Sequence, residues 1–190
     1  TQASTGTVET QRVSRQQLKA HVGVGMALVR FDVISDTHGY LSSELLEALQ
    51  GANYIVHAGD ITSNADYQTL QKIAPVKLCL GNNDFCYNYG PMVKKKIIFF
   101  AAGLKWQVCH YRERLDLVKC NIAICGHTHK PFVQRDEWTN TLVMNPGSPT
   151  YPRGREGATM GRIIVDEEAA QVVSAEIISL SSLEVLSSCK

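Results

Sequence analysis

Five short apolar runs in this chain break off on an acid, an amide or an imidazole, and that punctuation constrains the fold more than any other feature. "ALVRFDVIS" (27–35) runs into Asp36 and His38, "NYIVHAG" (53–59) into Asp60, and "VKLCLG" (76–81) into Asn82, Asn83 and Asp84. "WQVCH" ends on His110, and "NIAIC" (121–125) is followed by Gly126, His127, Thr128 and His129. Between the first three runs, "YLSSELLEALQG" (40–51) and "SNADYQTLQKI" (63–73) carry helical spacing, the first with a glycine stop and the second with a serine start. A β-α-β-α-β order implies parallel strands joined by right-handed crossovers. In open α/β sheets, ligand sites form at the carboxyl ends of strands, where these polar residues stand.

The second half reads differently. "KKIIFFAAGLKWQVCH" (95–110) predicts two strands that turn at Ala102-Gly103, and "RERLDLVK" (112–119) a short helix. "FVQRD" (132–136) with "TLVMN" (141–145) predicts a hairpin, and "ATMGRIIVD" with "QVVSAEIISL" another. About ten strands and three helices are most economically arranged as an α/β fold, a four-layer α-β-β-α sandwich of two mixed sheets flanked by helices. A chain of 190 residues buries roughly 70% of its unfolded surface around one core. One domain is expected over 26–182, starting at Met26, with 183–190 a C-terminal tail. Residues 1–25 are rich in Ser, Thr and Gln, with Glu9 the single acid, and are expected to be a disordered N-terminal extension. "VSRQQLKAHV" within it has the start signal of a short helix from Ser14, and His21 has no partner in view.

Composition narrows the partners. Nineteen basic and eighteen acidic residues leave a net charge of +1, too little to draw in a nucleic-acid polymer or an anionic membrane. No apolar run approaches the ~18 to 20 residues that cross a bilayer. Cys79, Cys109, Cys120 and Cys125 fall in or beside apolar runs, Cys86 and Cys189 lie in polar ones, and no C-x-x-C occurs. Reduced thiols in a cytoplasmic protein are expected. A homo-oligomer is left open.

The strand-end residues have a definite chemistry. Asp36, Asp60, the Asn82 amide, His38, His110, His127 and His129 make a mixed O/N set, too nitrogen-rich for Mg²⁺ or Ca²⁺ and without the thiolates of a structural zinc site. It suits Mn²⁺, Fe²⁺ or Zn²⁺. The set is too large for one tetrahedral ion, but it suits two ions bridged by a carboxylate, a pair ~3.5 to 4 Å apart being a clamp for phosphoryl chemistry. His127 and His129 stand at i and i+2, and on an extended backbone such residues point the same way, so both imidazoles are expected to converge on one spot. Two histidines resting in a polar loop is the plain alternative.

In this order, Asp36-x-His38, Gly59-Asp60, Gly81-Asn82, His110 and Gly126-His127-x-His129 resemble the calcineurin-like metallophosphoesterase family. "NPGSPTYPRG" (145–154) resembles its small prokaryotic phosphodiesterase branch, whose fold a retromer subunit shares. The resemblance spans roughly residues 28–180. It implies two divalent transition metal ions, Mn²⁺ first with Fe, Zn or Ni as alternatives. Asp36, His38 and His129 would hold one ion, Asn82, His110 and His127 the other, and Asp60 would bridge. A metal-bound hydroxide would then attack the phosphorus of a small phosphate ester, a diester by preference. A phosphomonoesterase and a metal-poor scaffold for protein partners are the alternatives.

Three departures stand beside the resemblance. Many relatives carry a catalytic histidine where this chain has Asn83, which cannot donate a proton as an imidazolium can. Branch members often read His-Gly-His where this chain has His110-Tyr111-Arg112, and the segment from His110 to His127 is short. Asp60, Asn83 and His110 are the residues expected nearest the chemistry. Of the remainder, His57 is expected to orient a neighbour rather than bind an ion. Phe85, Tyr87 and Tyr89 either stack on a base or aryl group or pack their own loop. Lys94 to Lys96 read as a solvated strand start, and Arg153 and Arg155 either reach a phosphate oxygen or stay in solvent.

Overall fold

Strand β1 (Leu28–Ile34) ends in four buried residues, of which Phe31 and Val33 join one hydrophobic cluster and Ile34 another on the opposite face. That two-residue alternation is what a strand buried on both sides requires. The computed structural model describes residues 27–190. The disordered extension, the helix from Ser14, the partnerless His21 and the start at Met26 lie outside the described residues.

Helix α1 (Ser43–Ala48) begins where the Ser42 side chain accepts the Leu45 N–H at 3.1 Å, and it buries Leu45. Strand β2 (Tyr54–His57) follows and pairs in parallel with β1. Helix α2 (Asn64–Ile73) starts on Ser63, whose side chain accepts the Asp66 N–H. It stops at Ala74, held extended (φ −158°, ψ 164°) by the proline at 75. Strand β3 (Val76–Leu78) extends the parallel set. The β-α-β-α-β half is thus as expected, with α1 shorter than its periodic stretch.

Strands β4 (Lys96–Ala101) and β5 (Leu104–Cys109) form an antiparallel hairpin. Its two-residue turn uses left-handed Ala102 (φ 50°) and Gly103 (φ 74°), the geometry that matches strand twist. Strands β6 (Ile122–Ile124), β7 (Phe132–Arg135), β8 (Leu142–Asn145), β9 (Thr159–Asp166) and β10 (Gln171–Ser179) complete the expected set. One sheet is six-stranded in the order β11 (Val185–Cys189), β10, β9, β1, β2, β3, and the other is five-stranded in the order β4-β5-β6-β8-β7. Both mix parallel and antiparallel pairs. Strand β11 (Val185–Cys189) lies in the stretch expected as a tail, and pairs antiparallel with β10 as an edge strand.

The two sheets close on each other around Phe31, Trp106, Ile122, Leu142 and Ile163, all fully buried, with the Phe31 and Trp106 rings 4.4 Å apart. A second cluster joins Leu45, Leu49 and Leu70 to Ile34 and Ile55, so both α-helices cover the outer face of the six-stranded sheet. The segment 112–119 is not an α-helix. It forms two 3-10 turns, Arg112–Arg114 and Leu117–Lys119, held against β5 and the start of β8. Gln107 clasps the Asp116 backbone from both sides (3.2 and 3.0 Å), and the Thr141 hydroxyl donates to the Leu117 carbonyl at 2.6 Å. An eight-residue stretch is below the length at which helical propensity alone sustains an α-helix. Among the described residues no helix is long and apolar enough to cross a membrane, and all six cysteines are free.

Candidate metal centre

Backbone hydrogen bonds tie the loop after β1 to that after β2 and the end of β5 to the loop after β6. The Asp60, Asp84 and Asp36 carboxylates join these to each other and to the loop after β3. The Asp36 N–H donates to the Gly59 carbonyl at 2.9 Å, the His38 N–H to the Asp60 carbonyl at 3.0 Å, and the Gly126 N–H to the His110 carbonyl at 3.1 Å. Five of the residues so placed adopt the left-handed backbone region: Asp36 (φ 55°), His38 (φ 49°), Asp60 (φ 58°), His127 (φ 69°) and His129 (φ 58°). For residues other than glycine this costs of order 1 to 3 kcal/mol each, and such strain gathers at functional sites. Two glycines admit the close approach. A Cβ at Gly81 would collide with the Asp60 carboxylate, and one at Gly126 with the Ser35 hydroxyl and Asp36 Oδ2.

The left-handed backbone corrects the reading of the histidine pair. His127 and His129 do not lie on an extended strand, and their rings part. His127 Nδ1 stands 3.1 Å from Asn82 Oδ1, while His129 Nε2 stands 3.2 Å from Asp36 Oδ1 and 3.5 Å from His38 Nε2. His110 Nε2 is 3.1 Å from Asn82 Oδ1, 3.4 Å from Asp60 Oδ2 and 3.8 Å from Asp36 Oδ1. Asp60 Oδ2 also lies 3.9 Å from His38 Nε2, so this carboxylate stands between two imidazoles. The seven residues singled out from the strand ends therefore form one continuous cluster, in which Asp36, His38 and His129 make one close group, Asp36, Asp60 and His110 another, and Asn82 links His110 to His127.

The protonation pattern reveals what the site is built to hold. The His110 Nδ1–H donates to the Ala58 carbonyl and the His129 Nδ1–H to the Tyr151 carbonyl, each at 2.7 Å, so both Nε2 atoms present lone pairs inward. What they face are acceptors: carboxylate oxygens, an amide oxygen and another imidazole nitrogen. Lone pairs aimed at one another at these distances need cations between them, whether protons or metal ions. Asp36 makes the same point. Its Oδ2 accepts from the Ser35 hydroxyl (2.6 Å) and the His127 N–H (3.0 Å), while its buried Oδ1 has no hydrogen-bond partner. Such an orphan is rare in a native interior and fits the role of a metal ligand.

Electrostatics agree. Burial works against the Asp36 and Asp60 carboxylates, but the His129 imidazole and the Ser35 hydroxyl beside the first, and His110 and Asn83 beside the second, hold both below the usual carboxylate range. The Asp36 carboxylate beside it raises the His129 imidazole, and Asp60 and Asp36 raise His110 against its burial. The cluster attracts positive charge, and its donor set fits a transition metal.

Residues around the cluster hold it in shape. Asp84, buried, accepts the N–H groups of Asp60 (2.7 Å), Gly81 (2.8 Å) and Thr62 (2.9 Å). The sequence places it beside the site without revealing this role, since its partners are backbone groups of loops whose geometry no pattern encodes. His57 is not a ligand: its Nδ1 accepts the Gly59 N–H at 3.1 Å and its Nε2–H donates to the Thr37 hydroxyl at 2.9 Å. The 145–154 stretch works as a clamp, the Ser148 hydroxyl donating to the Asp36 carbonyl (2.8 Å) and the Thr150 hydroxyl to the Thr37 carbonyl (2.9 Å). Asn83 turns toward Asp60, its backbone N–H on Oδ1 at 2.8 Å and its side-chain amide on Oδ2 at 2.7 Å. Tyr87 and Tyr89 stack on each other (5.7 Å) and Tyr89 is buried, so they pack the loop, whereas Phe85 is 83% exposed. Arg153 and Arg155 are exposed, with the Arg153 N–H on the His129 carbonyl at 3.1 Å.

A two-sheet sandwich whose strand ends gather carboxylates and imidazoles in this way has the build of a metal-dependent hydrolase. The chain belongs to the calcineurin-like phosphoesterase superfamily, whose domain matches residues 29–168. It is 32% identical over 144 residues to a probable metallophosphoesterase of Methanothermobacter thermautotrophicus, covering 67% of this chain and 81% of that protein. In fold it is similar to the E. coli phosphoesterase YfcE (TM-score 0.65, 21% identity, 85% of this chain and 98% of that one). It is likewise similar to Vacuolar Protein Sorting 29 of Cryptosporidium parvum (TM-score 0.68, 18% identity, 85% and 96%).

Proposed function

We propose that this protein hydrolyses phosphodiesters with two divalent transition metal ions. The observation that carries the reading is the orphaned, buried Asp36 Oδ1, ringed by the Nε2 atoms of His38, His110 and His129 at 3.8, 3.8 and 3.2 Å. Asp36, His38 and His129 would hold one ion, Asn82, His110 and His127 the other, and Asp60, between His38 and His110, would serve both. Bound ions supply Lewis acidity toward a phosphoryl oxygen and lower the pKa of water. The chain itself does the positioning. Carbonyls of Ala58 and Tyr151 fix the tautomers of His110 and His129, and Asn83 and Asp84 fix Asp60, the first at its carboxylate and the second at its backbone. The family resemblance puts Mn²⁺ first, with Fe, Zn and Ni as alternatives that an imidazole-rich set also suits.

Two features favour diesters over monoesters. Asn83 offers an amide rather than an imidazolium, which suits esters whose leaving groups need no proton. A cleft of ≈ 310 Å³ also opens beside Asn82, with room for a second ester substituent that a monoester lacks. The test is a panel of aryl diesters and monoesters assayed after chelator stripping and reloading with Mn²⁺, Mg²⁺, Zn²⁺ or Ni²⁺. Metal-dependent turnover with diesters ahead supports the reading, and turnover without metal contradicts it.

A second reading, a scaffold for protein partners, is favoured by the likeness in fold to Vacuolar Protein Sorting 29 and by Ile98 and Phe100, 53% and 75% exposed on the outer face of β4. Metal content separates the two readings.

A further inference from the structure

We infer that the cleft beside Asn82 is the subsite for the second ester arm, and that the arm it takes carries an anion, as a phosphorylated aryl or nucleoside group does. The inference rests on the phosphodiesterase reading and adds a substrate class to it.

The cleft shares a wall with the metal centre. Asn82 lines it, with Oδ1 3.1 Å from both His110 Nε2 and His127 Nδ1, and so does Tyr111, whose ring centre lies 4.6 Å from that of His127. A substituent on a phosphorus held at the cluster enters this space directly on the Asn82 side.

Its walls are basic. Lys95 and Arg114 both line it, and among the described residues neither is in a salt bridge. Asp84 is the acidic residue of the lining, but its oxygens already accept backbone N–H groups and the Tyr89 hydroxyl, and its side chain is buried. Arg114 is arranged in advance. Its guanidinium lies 4.9 Å over the Tyr111 ring, and the Lys96 ammonium donates to its carbonyl at 2.8 Å, tying down the 3-10 turn that carries it. A planar fork held in this way suits a phosphate or carboxylate more than a lone ammonium does. The remaining wall is apolar: Leu80, and Phe85, 83% exposed. Single exposed aromatics are common. One that lines the same cleft as two cations outside any salt bridge, beside a metal site, offers a ring to stack on together with an anion site.

The geometry turns on Tyr111 and Arg114, which belong to the segment where this chain departs from the His-Gly-His pattern. The short loop after β5 brings a 3-10 turn, and with it Arg114, to the edge of the site.

The test compares the p-nitrophenyl ester of thymidine 5′-phosphate with and without a 3′-phosphate, in wild type, in Lys95→Gln/Arg114→Gln, and in the charge-matched control Lys72→Gln/Lys119→Gln. The readout is the ratio of kcat/KM for the two substrates within each protein, so changes common to both cancel. Wild type and control are expected to favour the 3′-phosphorylated substrate by about tenfold or more, and the cleft variant to lose most of that preference. A wild-type ratio near one, or a ratio unchanged in the cleft variant, overturns the inference while leaving hydrolysis itself intact. Calorimetric titration with thymidine 3′,5′-bisphosphate provides a readout that does not need turnover. If neither ester is hydrolysed, binding lost only in the cleft variant supports the subsite although the phosphodiesterase reading falls, and equal binding in all three proteins overturns it.

Discussion

Asp84 holds Asp60 without touching its carboxylate: one Asp84 oxygen accepts the Asp60 N–H at 2.7 Å and the Gly81 N–H at 2.8 Å, joining the loops after β2 and β3. Asp60 in turn adopts a left-handed backbone (φ 58°) that this bond helps impose. Asp84→Asn keeps the shape but turns a charged acceptor into an amide that must either offer a weaker oxygen or set a donor against a donor. Hydrogen bonds to buried charged groups contribute about 1.5 to 3 kcal/mol each. Urea denaturation is expected to show a loss of about 2 to 4 kcal/mol. A variant as stable as wild type removes Asp84 from the account.

A second prediction concerns room at Gly126. A Cβ there meets the Ser35 hydroxyl and lies 2.8 Å from Asp36 Oδ2, inside the pair that fixes Asp36. Gly126→Ala is expected to cost about 1 to 3 kcal/mol by overpacking and to weaken metal binding, read by competition with a chromogenic chelator. Unchanged metal affinity contradicts the tight packing around Asp36.

His57 provides a pH test at a buried residue that is not itself a proposed ligand. Complete burial holds its pKa down to about 4, against fields of Asp84 and Asp36 that raise it. The unfolded chain takes up its proton near pH 6.5 and the folded chain does not, so this group withdraws stability as pH falls from about 6.5 to 4, each unit being worth about 1.4 kcal/mol. Nitrogen chemical shifts are expected to report a neutral imidazole, protonated at Nε2, down to at least pH 5. A midpoint near 6.5 contradicts the assignment.

How much of this was legible in the sequence differs from residue to residue. Asp36, His38, Asp60, Asn82, His110, His127 and His129 were readable because parallel strands deliver their ends to one side, whatever the loops do. The manner of convergence was not. Left-handed φ at five of these residues depends on hydrogen bonds among loops, which alternation does not report. Strand β11 escaped notice because an edge strand with exposed residues has little hydrophobic signal. The segment 112–119 carried helical spacing and lacked the length for an α-helix, so the Gln107 and Thr141 contacts decided its form.

Asn83 gives the kinetic prediction. Its amide donates to Asp60 Oδ2 at 2.7 Å, placing position 83 at the carboxylate proposed to serve both ions. Asn83→His supplies a proton donor there, and general acid catalysis is typically worth ~10² to 10⁴ in rate where a proton is needed. The gain is expected for poor alkyl leaving groups and to vanish for nitrophenolate. Equal leaving-group slopes in the two proteins, at equal metal content, exclude position 83 from leaving-group protonation.

The most direct measurement is metal stoichiometry by mass spectrometry on wild type and Asp60→Asn, reloaded with Mn²⁺ and desalted, with turnover of bis(p-nitrophenyl) phosphate followed in parallel. Asp60→Asn keeps the size of the side chain and removes the charge that lets one carboxylate serve two cations. The account predicts close to two equivalents and metal-dependent turnover in wild type, with one equivalent or fewer and turnover lost in a variant that still folds. No stoichiometric metal in wild type, or two equivalents and full activity in Asp60→Asn, would contradict it.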